Sequence, residues 1–105
     1  MTYHIVFNTC PDEETAERIA NALLDQRLAA CINIVPGLRS IYNWKGKREN
    51  GTEVLLMIKS PTRIYAELET VLRGMHPYKL PEIIAVPISA GLPAYLEWIS
   101  RETQS

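Results

Sequence analysis

Residues 54–58, Val-Leu-Leu-Met-Ile, and residues 83–86, Ile-Ile-Ala-Val, contain no polar side chain. Side chains in a strand point alternately to the two faces of a sheet. A sheet containing both runs is therefore apolar on both sides. An antiparallel sheet with one face in water normally alternates to polar there, and a monomer rarely leaves so large an apolar patch bare. The chain's own helices can cover one face. A second copy of the chain is the simplest cover for the other.

The remaining elements follow from periodicity and punctuation. Residues 3–9 are rich in β-branched and aromatic side chains and predict a strand. Beyond them Ala16, Ile19, Ala20, Leu23 and Leu24 recur at helical spacing. Pro11 suits the first turn of that helix, and Asp12, Glu13 and Glu14 suit its positive end. Residues 30–35 and 38–45 read as extended, interrupted by Pro36-Gly37. Residues 46–51 (GKRENG) read as a polar turn, and residues 52–59 as the returning strand of a hairpin. Ser60 and Pro61 suit the N-cap and first residue of a second helix, whose apolar face is Ile64, Leu68, Val71 and Leu72. Gly74 suits a left-handed residue just past its end, with Pro77 as the stop. Residues 82–88 read as a further strand, with Pro87 near its end, and Pro93 opens a short last helix. The order β-α-β-β-α-β plus a helix predicts an α+β, ferredoxin-like sandwich with a long hairpin and an antiparallel sheet. A length of 105 residues is one domain, residues 1–105.

Charge and motifs exclude several function classes. The net charge is -1, and the one basic cluster (Lys45, Lys47, Arg48) is interrupted by Glu49, so neither nucleic acid nor an anionic membrane is an expected partner. The strands lack the aromatic motif by which sandwiches of this order bind RNA. No GxSxG, HExxH or P-loop is present, and residues 8–14 (NTCPDEE) repel phosphate. These features predict a non-enzymatic protein. Cys10 and Cys31 follow no metal-cage spacing and suit a reducing compartment. The N-terminus lacks the basic start and cleavage site of a signal peptide. No run approaches the ~20 apolar residues that span a bilayer. The expectation is a cytoplasmic protein.

Five short segments occur in order: LAACINIVPG (28–37), Tyr42-x-Trp44-x-Gly46, the strand bounded by Glu53 and Lys59, HPYKLPE (76–82), and Tyr95-x-x-Trp98. Together, over about residues 3–99, they resemble the CutA divalent-cation-tolerance family. The resemblance implies a tight homotrimer built by pairing long hairpins, and a role in tolerance of copper and other divalent cations. It also implies an architecture like that of the PII signalling trimers. Copper binding in the family is attributed to a cysteine near the end of the first strand and to histidines before the Pro-Tyr of the HPY motif. Here the cysteine position is Asn8, with Cys10 two residues on, and of the paired histidines only His76 is present, the other position being Met75. Cys10, His76 and Met75 are thus the candidate metal set, with donors that suit Cu(I). The competing reading is a packed cysteine, a core-filling methionine and a histidine bonded to backbone. PII-like trimers hold ligands in clefts between subunits. By that analogy Tyr42, Trp44, Glu53, Lys59, Tyr78 and Glu82 are the candidate cleft for a small ligand or protein partner. Aromatic packing at the hairpin and interface is the alternative for Tyr42 and Trp44.

Overall fold

The structure, a computed structural model, describes residues 1–104. β1 (Tyr3–Cys10) leads into α1 (Glu13–Asp25), β2 (Cys31–Trp44) and β3 (Lys47–Pro61). A single 3-10 turn, Thr62–Ile64, then opens α2 (Tyr65–Met75), followed by β4 (Ile83–Pro87) and α3 (Pro93–Glu102). The strands form one antiparallel sheet in the order β2-β3-β1-β4.

The alternation along β1 and β3 sorts the two faces. Val6, Cys10, Val54, Leu56 and Ile58 turn to the helix side, where they bury against Ile19, Leu23, Leu68 and Leu72. Ile5, Phe7, Leu55 and Met57 turn to the other side and stay half-exposed. Phe7 lies between Met57 and Ile84 in the register. Ile84 is 53% exposed. α3 crosses only one end of this second face, where the Tyr3 hydroxyl bonds Ser100 and Tyr95 lies against Cys31.

The hairpin outruns the core beneath it. The radius of gyration, 14.3 Å, exceeds the about 13 Å expected of a compact domain of this length, and the long axis reaches 45 Å. β3 is longer than the sequence pattern predicts. Residues 46–51 are not a loop, because the turn is only Lys45-Gly46. Both have positive φ (50° and 80°), as a two-residue type I′ hairpin turn requires.

Helix boundaries differ from expectation for identifiable reasons. Asp12, not Pro11, begins α1: its Oδ1 accepts the Thr15 N–H at 2.8 Å, leaving Pro11 outside the cap. That bond holds the Asp12 carboxyl below its usual pKa. Ser60 and Pro61 do not start α2. They complete β3, and the fully buried Ser60 hydroxyl bonds His4 Nε2 at 2.7 Å instead of capping a helix. Gly74 lies inside α2, which ends at His76 in extended backbone.

The burial of His4 sets the sign of a pH dependence in the fold. Burial holds its imidazole below the ordinary value of 6.5. As pH falls, the unfolded chain therefore takes up this proton before the folded chain does. The contribution is full above about pH 6.5 and is lost below it, at no more than ~1.4 kcal/mol per pH unit. Urea midpoints between pH 7.5 and 5 should fall more steeply for the native chain than for His4→Asn. Parallel curves would show that His4 does not carry the dependence.

Candidate functional site

The Pro36-Gly37 bulge aims the hairpin's aromatic residues. Before it Val35 pairs with Leu55; after it Leu38 pairs with Glu53, so β2 has gained one residue on β3. One extra residue inverts the parity of everything beyond it. Gly37, at φ 79°, absorbs the distortion. Ser40, Tyr42 and Trp44 thereby share a face with Glu49 and Glu53, and Tyr42 sits directly opposite Glu49.

On that face the hairpin and residues 77–82 enclose an open groove of about 1150 Å³. Tyr42, Trp44, Glu49, Glu53, Tyr78, Lys79 and Glu82 are among its lining residues. The Tyr78 hydroxyl donates to Glu53 Oε2 at 2.8 Å, tying the loop to the hairpin. Burial raises the Tyr78 phenol, and the Glu53 carboxylate raises it further. The Glu82 carboxyl is also raised, first by burial and then by the charge on Glu53.

Behind the groove lies a buried polar knot. His76 Nε2 is 2.8 Å from the Thr9 carbonyl, and His76 Nδ1 is 3.1 Å from the Tyr78 backbone N–H. A carbonyl only accepts, so Nε2 carries the proton and Nδ1 is the acceptor. Cys10 Sγ is 3.9 Å from His76 Nε2 and donates to Asn8 Oδ1 at 3.3 Å. Asn8 Nδ2 in turn donates to the Glu82 carbonyl at 2.9 Å. Burial pushes the Cys10 thiol up to about 11, with the Asp12 and Glu53 charges adding to it.

This donor chemistry does not fit a resident copper ion. A metal would need a lone pair from His76, and the fold uses one ring nitrogen as donor and the other as acceptor. It would also need the Cys10 thiolate, and without a metal the burial of Cys10 favours the thiol. Met75 packs against the core beneath α2. Among the described residues, no three of His, Cys, Asp and Glu lie close enough to hold an ion.

Of the predicted cleft residues, Tyr42, Trp44, Glu53, Tyr78 and Glu82 meet in the groove. Lys59 does not. It shares a face with Glu53, but six residues at ~3.3 Å each put it about 20 Å away, where its ammonium bonds Asn33 beside Cys31. Sequence reasoning misses Glu49, because residues 46–51 read as a turn. It also gives Asn8 no role beyond marking the family's cysteine position. A polar residue alternating with Val6 and Cys10 on a core-facing strand is the available signal.

The fold and groove define a ferredoxin-like α+β protein with a long hairpin, a half-covered sheet and a ligand-sized cleft at its upper end. Its relatives are equally clear. The model of the "CutA1 divalent ion tolerance protein" family matches residues 4–102. "Protein CutA" of Mus musculus is 46% identical over 99 residues, 94% of this chain and 56% of the mouse protein. The "Divalent-cation tolerance protein CutA" of Thermus thermophilus is also 46% identical, over 94% of this chain and 96% of that one. The solved structure of the Cut A1 divalent cation tolerance protein from Thermus thermophilus superposes with a TM-score of 0.94 at 45% identity, covering 97% of this chain and 99% of that chain. The chain therefore spans little more than half of its mammalian relative and nearly all of its bacterial one. It belongs to the CutA1 divalent ion tolerance family.

Proposed function

We propose that this divalent-cation-tolerance protein acts without catalysis, as a cytoplasmic homotrimer whose working surface is the groove beside residues 77–82. In this reading it is a sensor or scaffold, and its link to copper and other divalent cations is indirect. The observation that carries the reading is the convergence of Tyr42 and Trp44, Glu53, and Tyr78 and Glu82, from three separate segments, on one cleft of the single chain, on the sheet face of Met57, where a neighbouring copy would border it. Assembly is supported by the half-exposed apolar row of Phe7, Met57 and Ile84 on the second face. The absence of catalysis is supported by the engaged nitrogens of His76 and the elevated thiol of Cys10, which leave the pair without base or nucleophile. The free cysteines suit a reducing compartment.

A copper titration of the reduced protein, with solution mass recorded alongside, tests this reading against direct metal binding. The expected result is an intact trimer that binds copper no more tightly than an exposed histidine does, with Cys10→Ser indistinguishable. Saturable, tight copper binding lost in Cys10→Ser would instead make Cys10, His76 and Met75 a metal site that forms by rearrangement.

A further inference from the structure

We propose that the groove binds a small organic cation: an ammonium or guanidinium group carried on an extended or flat hydrocarbon body. This deepens the groove reading above and rests on it. The charge of the site points to a cation. Glu49, Glu53 and Glu82 line the groove, and Lys79 is the one basic side chain among its lining residues. These four lining side chains sum to -2, against -1 for the whole chain, and Lys47 lies opposite Trp44 at the tip of the hairpin. Glu53 and Glu82 already feel each other, and a cation between them relieves that repulsion, whereas an anion adds to it.

The spacing of the carboxylates selects the kind of cation. They do not converge: among the described residues no three acidic, histidine or cysteine side chains lie close enough to hold a metal ion. A compact divalent ion needs several oxygens within one coordination sphere. A cation whose charge is spread over or strung along a carbon frame does not. The walls suit the carbon frame. In the single chain Tyr42 and Trp44 are 50% and 41% exposed, and the bulge turns them onto the face of Glu49 and Glu53. Aromatic faces attract cations electrostatically, tryptophan most strongly, and a groove that sets aromatic walls beside glutamates matches an amine better than either feature alone.

The chain has two tryptophans, so Trp98→Phe leaves Trp44 as the sole tryptophan emitter, at the site itself. Spermidine and benzyltrimethylammonium should each change Trp44 fluorescence saturably. Benzyl alcohol and magnesium chloride at the same concentrations should not. Added sodium chloride should weaken the binding. Glu53→Gln and the exposed Glu82→Gln should each weaken it about five-fold, the order of one partly solvated ion pair. Equal binding of benzyl alcohol, or no effect of either glutamine, would overturn cation recognition while leaving the groove a ligand site. Competition by magnesium would replace the organic cation with a point charge and also overturn the proposal. Trp44 shielded from acrylamide in the assembly but reached after dissociation would mean that a second copy fills the groove, which overturns it too. An accessible Trp44 that no probe moves would defeat both this proposal and the groove reading beneath it.

Discussion

His76→Ala should destabilise the metal-free protein by about 2–4 kcal/mol. The side chain is buried, and its ring satisfies the Thr9 carbonyl on one side and the Tyr78 N–H on the other. Truncation leaves both partners short of a bond in a place water reaches poorly. Each such loss costs about 1–3 kcal/mol, with a small cavity added. His76→Gln keeps a donor near the Thr9 carbonyl but loses the acceptor for Tyr78, so it should recover roughly half of the deficit. Urea unfolding after chelator treatment, at fixed protein concentration because assembly couples to stability, distinguishes the roles. If His76 serves only a metal, both variants unfold like the native chain once metal is removed. If it is the strut described here, the loss is present without metal. Amide exchange at Tyr78 should then rise, because that N–H has lost its acceptor and the loop bearing one wall of the groove is released.

The same knot shows where sequence reasoning stops. The elements are legible because hydrophobic spacing reports burial directly: Ile19 and Leu23, or Leu68 and Leu72, declare a helix face before any contact is known. The two-sided apolar character of residues 54–58 is legible in the same way and appears as alternating buried and half-buried positions along β3. What spacing does not report is a one-residue change of register. Pro36-Gly37 reads as an interruption, yet it is a bulge inside a continuous strand, and it alone decides which face Tyr42 and Trp44 occupy. Nor does spacing report where short polar side chains find partners. Ser60 before Pro61 matches a helix cap, but the buried His4 ring competes for its hydroxyl and wins, so the strand continues. Cys10 and His76 are 66 positions apart, and their 3.9 Å contact follows from β1 ending where α2 ends. The groove residues come from analogy with related trimers. The chain's own folding supplies the physical reason for their meeting, and it leaves Lys59 out.

Ile84→Glu should convert the assembled protein to single chains while leaving each chain folded. The substitution has opposite consequences in two environments. In the isolated chain Ile84 is 53% exposed on an edge strand, so a glutamate there reaches water and should change folding stability by no more than about 0.5 kcal/mol. In an assembly that covers the second face, each copy must desolvate a carboxylate beside Phe7, at several kcal/mol per ion without a partner charge. In a trimer that penalty enters once per copy. Leu24→Glu is the matching control. Leu24 is a 39% exposed leucine on α1, on the helix side of the sheet, so the same charge should leave the assembly intact. Sedimentation of the native chain and both variants at micromolar concentration, with far-UV circular dichroism to verify folding, reads the result. Assembly through the second face requires a native chain heavier than one copy, an unchanged Leu24→Glu and a folded monomer for Ile84→Glu. A native chain that sediments as one copy, or an Ile84→Glu variant that stays assembled, would remove the second face as the interface. The apolar second face of residues 54–58 and 83–86 would then need a different occupant.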